Sequence, residues 1–335
     1  MGSFSGNEIL LLAIFAVIIG AFLIIDLGVF NKKAKVVSTR SALYQSIFWI
    51  AISLLFGYVI YLYDGGWDNA LMYYSAYLTE KALSVDNIFV IILILKYFRI
   101  EEKYYHKILF WGILGALVFR GVFIFLGAYL VEQFHWILYI FGIFLVYSGF
   151  KLLFEDDDDT IEPEKSPVIK FARRYLNISK SHYDGKFIVK EKGKMLFTPL
   201  FVVLMLIETT DLIFAVDSIP AAFAITENVF LIYTSNIFAV LGLRALFFLL
   251  AGILSRFHLL QKGLSLVLIF IGAKMLLEIV NVHVPIDISF IVILGTLILS
   301  VLISLWVEKP PEKPIPTIDD EEKPAEIIDS GRGNS

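Results

Sequence analysis

Residues 80–87 read EKALSVDN and lie inside a long apolar run between Trp67 and Tyr97. This stretch places two carboxylates, a lysine and an amide among Leu, Tyr, Ile, Phe and Val neighbours. A charged side chain near the centre of a bilayer costs about 2.5–3.5 kcal/mol on insertion scales, and more on an isolated helix. Because chains that keep acids at this depth usually use them, the stretch is the first candidate for a functional site.

A second stretch of the chain repeats the same acidic pattern. Residues 211–218 read DLIFAVDS, and aligning Asp217 on Asp86 places Asp211 on Glu80. Each copy is therefore an acid, five residues, an aspartate and a small polar residue. The chain contains two matching acidic motifs in apolar surroundings.

The composition indicates a polytopic membrane protein. The chain is 58% hydrophobic, and its mean hydropathy is +0.79, which is more apolar surface than a soluble domain of this length needs. It contains no cysteine, which excludes disulfides, thiolate metal sites and cysteine nucleophiles. The histidines all fall near segment ends or in loops, so no buried zinc or copper site of the His-rich kind is expected.

Nine apolar segments are long enough to cross a bilayer, at about 20 residues each, which predicts an all-α membrane fold. They lie near 7–30, 39–63, 69–96, 107–131, 135–154, 196–224, 229–254, 262–280 and 285–307. Together they form a predicted transporter domain over residues 7–307. Residues 308–335 are rich in Pro, Glu, Asp and Lys and are predicted to be a disordered tail.

The basic residues predict the orientation in the membrane. Lys and Arg are concentrated in alternate loops, at 31–40, 97–106, 155–195 and 255–262. The loops between these have none, at 64–68, 132–134, 225–228 and 281–284. The positive-inside rule then predicts an outside N-terminus and a cytoplasmic C-terminus in the inner (cytoplasmic) membrane.

The similarity between the two halves extends beyond the acidic stretches. LVFRGVF (117–123) is similar to LGLRALF (241–247), and GFKLLFE (149–155) to GAKMLLE (272–278). The matches are collinear, so residues 69–154 are predicted to repeat as residues 196–280. Three spans is an odd number, so consecutive units enter the membrane from opposite faces. This predicts an inverted repeat, which in transporters places the substrate site at the midplane.

The long loop 155–195 between the repeats has three recognisable parts. It opens with the acidic run 155–159. A solvated acidic turn is the favoured interpretation of this run, and a cation-collecting patch is the alternative. Residues 167–178 are predicted to form an amphipathic helix on the membrane surface. Residues 187–197 are predicted to form a small hairpin that turns near Gly193.

The intramembrane polar residues predict a cation site built from oxygen ligands. A seven-residue spacing puts Glu80 and Asn87 on one helical face, and Asp211 and Ser218 on another. Pro220 lacks an N–H, so the helix is expected to break and free the carbonyl of Val216. Oxygen ligands suit Mn²⁺, Mg²⁺ and Ca²⁺. The predicted metal ligands are Asp86, Asp217, Glu80, Asp211, Asn87, Ser218 and the carbonyl of Val216.

Further polar residues are expected to support this site. Arg120 and Arg244 are expected to pair with the acids or to gate access, and Lys81 to pair with Glu80 or with an acid on another helix. Glu208 and Asn236 are expected near the same cavity. The alternative is a buried salt-bridge network that only orients the helices.

The motifs resemble those of a known family. EKALSVDNIFV (80–90), DLIFAVDSIPA (211–221) and TSNIFAVLGLRA (234–245) resemble the signature of the TerC family of integral membrane proteins. WILYIFG (136–142) and the predicted hairpin resemble its Alx branch. The resemblance implies a relative of LysE-type transporters that exports manganese, with links to tellurite resistance and the alkaline pH response. It also implies that the function depends on Glu80, Asp86, Asn87, Asp211 and Asp217.

We therefore expect a manganese exporter, with metal/proton antiport as the leading coupling hypothesis. Its partners would be Mn²⁺, protons and the lipid bilayer, with no nucleic acid and no permanently bound cofactor. An acidic oxygen site would repel the tellurite anion. The rival is a membrane scaffold that assists assembly or metalation of other proteins. An enzyme is not expected, because no nucleophile–base pair or zinc motif is visible.

Overall fold

The computed structural model describes residues 6–25, 38–64, 66–154, 185–191, 194–251, 259–280 and 282–307. Its helices are α1 (Gly6–Ile25), α2 (Thr39–Tyr63), α3 (Gly66–Tyr97), α4 (Tyr105–Gln133), α5 (Ile137–Phe154), α6 (Pro199–Ile225), α7 (Val229–Leu241), α8 (Leu243–Leu250), α9 (Leu260–Leu277) and α10 (Ile286–Trp306). Two strands, β1 (Ile188–Glu191) and β2 (Lys194–Phe197), precede α6. The predicted segment ends therefore agree with the structure to within a few residues at most boundaries.

The described residues form an all-helical membrane protein, as predicted. Within the described ranges, seven helical segments are long and apolar enough to cross a membrane, and α7 and α8 together form one of them. Of the other two predicted spans, α1 has a shorter apolar part, Glu8–Ala21. The remaining one, α3, is 32 residues long but contains several acids and lysines. Its charges therefore set α3 apart from the ordinary lipid-facing spans.

The central helix of the bundle is α3. It packs against α2, α6, α7 and α10, and Tyr73, Ile88 and Leu95 along it are fully buried. The faces of α2 and α10 that point away from α3 bear large exposed apolar side chains, such as Leu55 and Ile291, as expected for surfaces in lipid. The acidic stretch of α3 is thus held inside the protein.

The predicted hairpin is confirmed. Strands β1 and β2 pair antiparallel, with Ile188 opposite Phe197. The segment just before it is fastened to the start of α4, because Lys107 Nζ donates to the carbonyl of Gly185 at 2.8 Å. Gly185 has a φ of +78° and lies against the ring of Tyr104, a place where a side chain would be both strained and obstructed.

Several predictions concern residues outside the described ranges. They include the acidic run 155–159, the amphipathic helix 167–178 and the tail 308–335. The backbone of Asp86 lies within α3, but its side chain is not among those described.

The expected break of the sixth span at Pro220 is wrong. The helix α6 is continuous from Pro199 to Ile225 with the proline inside it, and Pro220 is buried among neighbouring helices, which hold the backbone in place. The side chain of Val216 is 51% exposed at the protein surface. A break does occur, but in the next span, where Gly242 separates α7 from α8.

The helices α5 and α9 pack with their backbones in contact. A Cβ atom built on Gly272 would lie 2.7 Å from the carbonyl oxygen of Gly142. A Cβ on Gly149 would lie 2.8 Å from the carbonyl oxygen of Ser265. Glycine at these positions lets the two backbones touch, as small residues do at close crossings in membranes.

We expect Gly272→Ala to destabilise the protein by about 1–3 kcal/mol, because the new methyl group has no room between the two helices. Gly295→Ala, on α10, is the matched control, since no described atom lies within 4 Å of its Cβ position. This control should gain up to about 1 kcal/mol from helix propensity. Thermal melting of the purified variants measures the difference, and equal melting temperatures would contradict the tight crossing.

The predicted orientation can be tested with single cysteines, because the chain has none. Lys186, before the hairpin, and Glu227, between α6 and α7, are both exposed. We expect a membrane-impermeant thiol reagent to label Glu227→Cys in intact cells and to label Lys186→Cys only after lysis. Labelling of Lys186→Cys in intact cells would show that the orientation is opposite to the predicted one.

Candidate functional site

Arg120 is the centre of a buried ion-pair cluster. Arg120 lies on α4 and is fully buried. The guanidinium pairs with Glu80 of α3 through Nη1, and with Asp211 of α6 in bidentate fashion, at 2.9 Å from Nη2 to Oδ1 and 3.1 Å from Nε to Oδ2. The leading acids of the two matching stretches therefore meet at a single arginine, in the fork geometry that guanidinium groups favour.

Two amides complete what we call the carboxylate cluster, namely Glu80, Asn87, Arg120, Asp211 and Asn236. Asn87 Nδ2 donates to Asp211 Oδ1 at 3.3 Å. Asn236 Oδ1, on α7, accepts from Arg120 Nη1 at 3.4 Å. The cluster joins α3, α4, α6 and α7. The expected pairing of Arg120 with acids is therefore present.

The amide groups of this cluster are not all satisfied by protein. Asn87 Oδ1 and Asn236 Nδ2 are buried and have no hydrogen-bond partner among the described residues. The same holds for Ser84 Oγ, which lies on α3 between Glu80 and Asn87. Buried polar atoms are normally paired with protein, water or a ligand. The region can therefore form further hydrogen bonds with water or a ligand.

A cavity of about 30 Å³ adjoins the cluster, which is room for about two water molecules. Its polar lining comes from Asn87, Thr210, Asp211 and Arg244, and the rest is apolar. The apolar lining includes Ile91 of α3, Leu109 of α4 and Phe247 of α8. These residues place the cavity toward the C-terminal end of α3 and the N-terminal end of α4, which is the end predicted to be cytoplasmic.

Glu208 is a third acid close to the cluster. It lies three residues before Asp211 on α6, and its carboxylate packs directly against Gly115 of α4, where any side chain would overlap it. Glu208 Oε2 is buried and has no hydrogen-bond partner in the part of the protein that the structure describes. Gly115 was not singled out from the sequence, although a glycine opposite a buried acid is a common way to make room for it.

Asp217 lies apart from the carboxylate cluster. It is six residues beyond Asp211, about 9 Å along the helix and about 120° around it. It is half-buried, and Ser148 of α5 donates to its Oδ1 at 2.8 Å. Ser148 was also not predicted from the sequence, although its position as a polar residue inside a predicted span could have identified it.

The predicted metal ligands therefore do not all lie together at one site. Glu80, Asn87 and Asp211 are together, Asp217 is beside Ser148, and Ser218 is buried. Among the described side chains, no three histidine or acidic groups are arranged to hold a metal. Since the Asp86 side chain is outside that description, the ligand set stays a prediction.

Lys81 has a different partner from the expected acid. Its Nζ donates to the carbonyl of Ala239 at 3.2 Å, and a Cβ on Gly242 would lie 2.5 Å from the same nitrogen. The break after α7 leaves carbonyls without helical donors, and a cation is favourable at a helix C-terminus. Glycine at 242 therefore lets the lysine reach the end of α7.

These features define a helical integral membrane protein whose core helices surround a buried ion-pair cluster. The chain belongs to the TerC family of integral membrane proteins, whose family profile matches residues 65–312. This range covers α3 to α10 and therefore every residue of the cluster.

Close relatives cover nearly the whole chain. It is 46% identical over 292 residues to an uncharacterized membrane protein of Rickettsia bellii, covering 87% of this chain and 96% of the relative. It is 44% identical over 286 residues to an uncharacterized membrane protein of Myxococcus xanthus, with 85% and 88% covered. It is also 40% identical over 301 residues to the putative membrane-bound redox modulator Alx of Escherichia coli, with 88% and 93% covered. No solved structure matches the chain.

Proposed function

We propose that this protein exports Mn²⁺ from the cytoplasm through a carboxylate site between α3 and α6. The observation that supports this most is the meeting of Glu80 and Asp211, from the two matching stretches, inside a buried cluster. Acids so deep in a membrane protein are functional by default. Carboxylate and amide oxygens suit Mn²⁺ better than soft metals.

An inverted repeat is part of this proposal. The similarity of residues 149–155 to 272–278 aligns Gly149 on Gly272, and seven residues earlier it aligns Gly142 on Ser265. The close contacts are Gly142 with Gly272 and Gly149 with Ser265, so each contact becomes the other when the halves are exchanged. Reciprocal contacts of this kind are what a two-fold relation requires, and they favour the transporter architecture.

Metal/proton antiport is the proposed coupling. Glu80 and Asp211 share Arg120 as their partner among the described side chains, and Glu208 lies one helical turn before Asp211 on α6. Neighbouring carboxylates repel one another when ionised. Protons that enter from outside would therefore replace the metal as it leaves. No permanently bound cofactor is needed for this cycle.

The test is Mn²⁺ uptake into inside-out membrane vesicles that contain the protein. We expect uptake to be several times faster when the vesicle lumen is acidic than when the pH gradient is collapsed at fixed voltage. Vesicles with the double variant Asp86→Asn/Asp217→Asn, at equal membrane levels, should show no uptake above background. Full uptake by the double variant would mean that these two acids are structural.

A redox role, as the name of the Escherichia coli relative suggests for that protein, is a second candidate. This chain has no cysteine, so thiol–disulfide exchange has no residue here to perform it. A scaffold that assists other proteins needs exposed partner surfaces, and it does not explain acids buried at the core. Protein that is well folded but shows no metal flux would favour the scaffold.

A further inference from the structure

Arg120 occupies the oxygens that a transported cation would use. Both carboxylate oxygens of Asp211 accept from its guanidinium, and Glu80 Oε1 accepts from the same group. A divalent cation needs several such oxygens at once. It cannot bind these two acids while the guanidinium remains between them.

A purely structural arginine would be expected to have a complete network around it, because a partly satisfied buried network destabilises a protein relative to an apolar core. In this cluster, Asn87 Oδ1 and Asn236 Nδ2 are instead buried without a hydrogen-bond partner among the described residues. Asn87 donates from its Nδ2 to Asp211, while its Oδ1 accepts no hydrogen bond from the described residues. The site therefore contains more oxygen ligands than the guanidinium fork uses.

The cavity reaches this network from one side. It is lined by Asn87 and Asp211 but not by Glu80 or Arg120. A cation that entered from this side would meet Asp211 first. The pairing of Arg120 with Glu80 lies beyond and could persist after Asp211 is taken.

We infer that Arg120 is a tethered competitor of the transported cation, which fills the carboxylate site in the unloaded protein and is displaced from Asp211 when Mn²⁺ binds. This inference rests on the proposed function. When the metal leaves, the returning guanidinium would pair with the two buried carboxylates, which are costly in low dielectric when they are left unpaired. The exchange therefore weakens binding but speeds release, as turnover requires.

The first experiment separates binding from flux in purified protein. Mn²⁺ binding is measured in detergent from the loss of the free-ion electron paramagnetic resonance signal, and flux is measured in proteoliposomes. We expect Arg120→Ala to bind Mn²⁺ at least tenfold more tightly than the unmodified protein and to transport it at least tenfold more slowly. Arg40→Ala, an exposed arginine at the start of α2, should change neither. Equal or weaker binding by folded Arg120→Ala would overturn the inference.

Free guanidinium provides a second test on Arg120→Ala. At low millimolar concentration it should compete with Mn²⁺ for binding and restore part of the flux, because it can fill the vacated place. Urea has nearly the same shape but no charge and should do neither. Identical effects of the two compounds would contradict the exchange.

Two further comparisons keep the inference and the proposed function separable. If Arg120→Ala does not fold, Glu80→Gln/Arg120→Gln is compared with Glu80→Gln alone. The double variant should bind Mn²⁺ more tightly, and equal binding would overturn the inference. Unmodified protein that neither binds nor transports Mn²⁺ would overturn the proposed function together with the inference, whereas transport without tighter binding in the variants would overturn the inference alone.

Discussion

Asp211→Asn is expected to abolish Mn²⁺ flux and to lower the free energy of unfolding by about 3 kcal/mol. The substitution removes the charge that pairs with a fully buried arginine in two hydrogen bonds. Breaking a buried ion pair by removing one partner leaves the other charge uncompensated, which costs about 3–5 kcal/mol. Stability is measured by denaturant unfolding, and flux per folded molecule in proteoliposomes.

Two aspartates serve as comparisons for this substitution. Asp287→Asn, exposed in the first turn of α10, should leave both flux and stability nearly unchanged. Asp217→Asn should cost only about 1 kcal/mol, because Ser148 is the hydrogen-bond partner described for it and can still donate to the amide oxygen. If Asp217→Asn also abolishes flux at normal stability, both acids act in transport. Full flux by folded Asp211→Asn would leave the cluster with only a structural role.

Cells that produce the protein are expected to hold severalfold less manganese after a Mn²⁺ load than cells without it. An oxygen-only site selects harder divalent ions over copper(I) and cadmium. Total cell metals, measured by mass spectrometry, should therefore show a fall in manganese with copper and cadmium unchanged. Cells that produce Asp86→Asn/Asp217→Asn at the same level are the control. A change in zinc or copper with manganese constant would contradict the ligand assignment.

Hydrophobic length and local turn chemistry were sufficient to predict much of the fold. Span ends such as those of α2, predicted at 39–63, agree with the structure because Ser38 caps the helix and the apolar run stops at Tyr63. The hairpin was predicted over residues 187–197 with a turn near Gly193. These features depend on neighbours in sequence, so the sequence alone contains the information.

The partners of the polar residues were harder to predict, because they depend on how helices rotate against one another. The seven-residue spacing correctly put Glu80 and Asn87 on one face, but it could not tell that Asp217 would turn toward Ser148. Among the described residues, Lys81 donates to a backbone carbonyl and not to an acid, because α7 ends at Gly242. A proline was expected to break a helix, and tertiary packing held that helix intact.

The contact of α5 with α9 limits how the bundle can change shape. At Gly142 with Gly272, and again at Gly149 with Ser265, no side chain separates the backbones. Sliding either helix along the other would push a backbone carbonyl into its neighbour, and rotation about one contact would do the same at the other. Any rocking within the bundle would therefore move α5 and α9 together as one unit, and the displacement would occur where this pair meets the other helices.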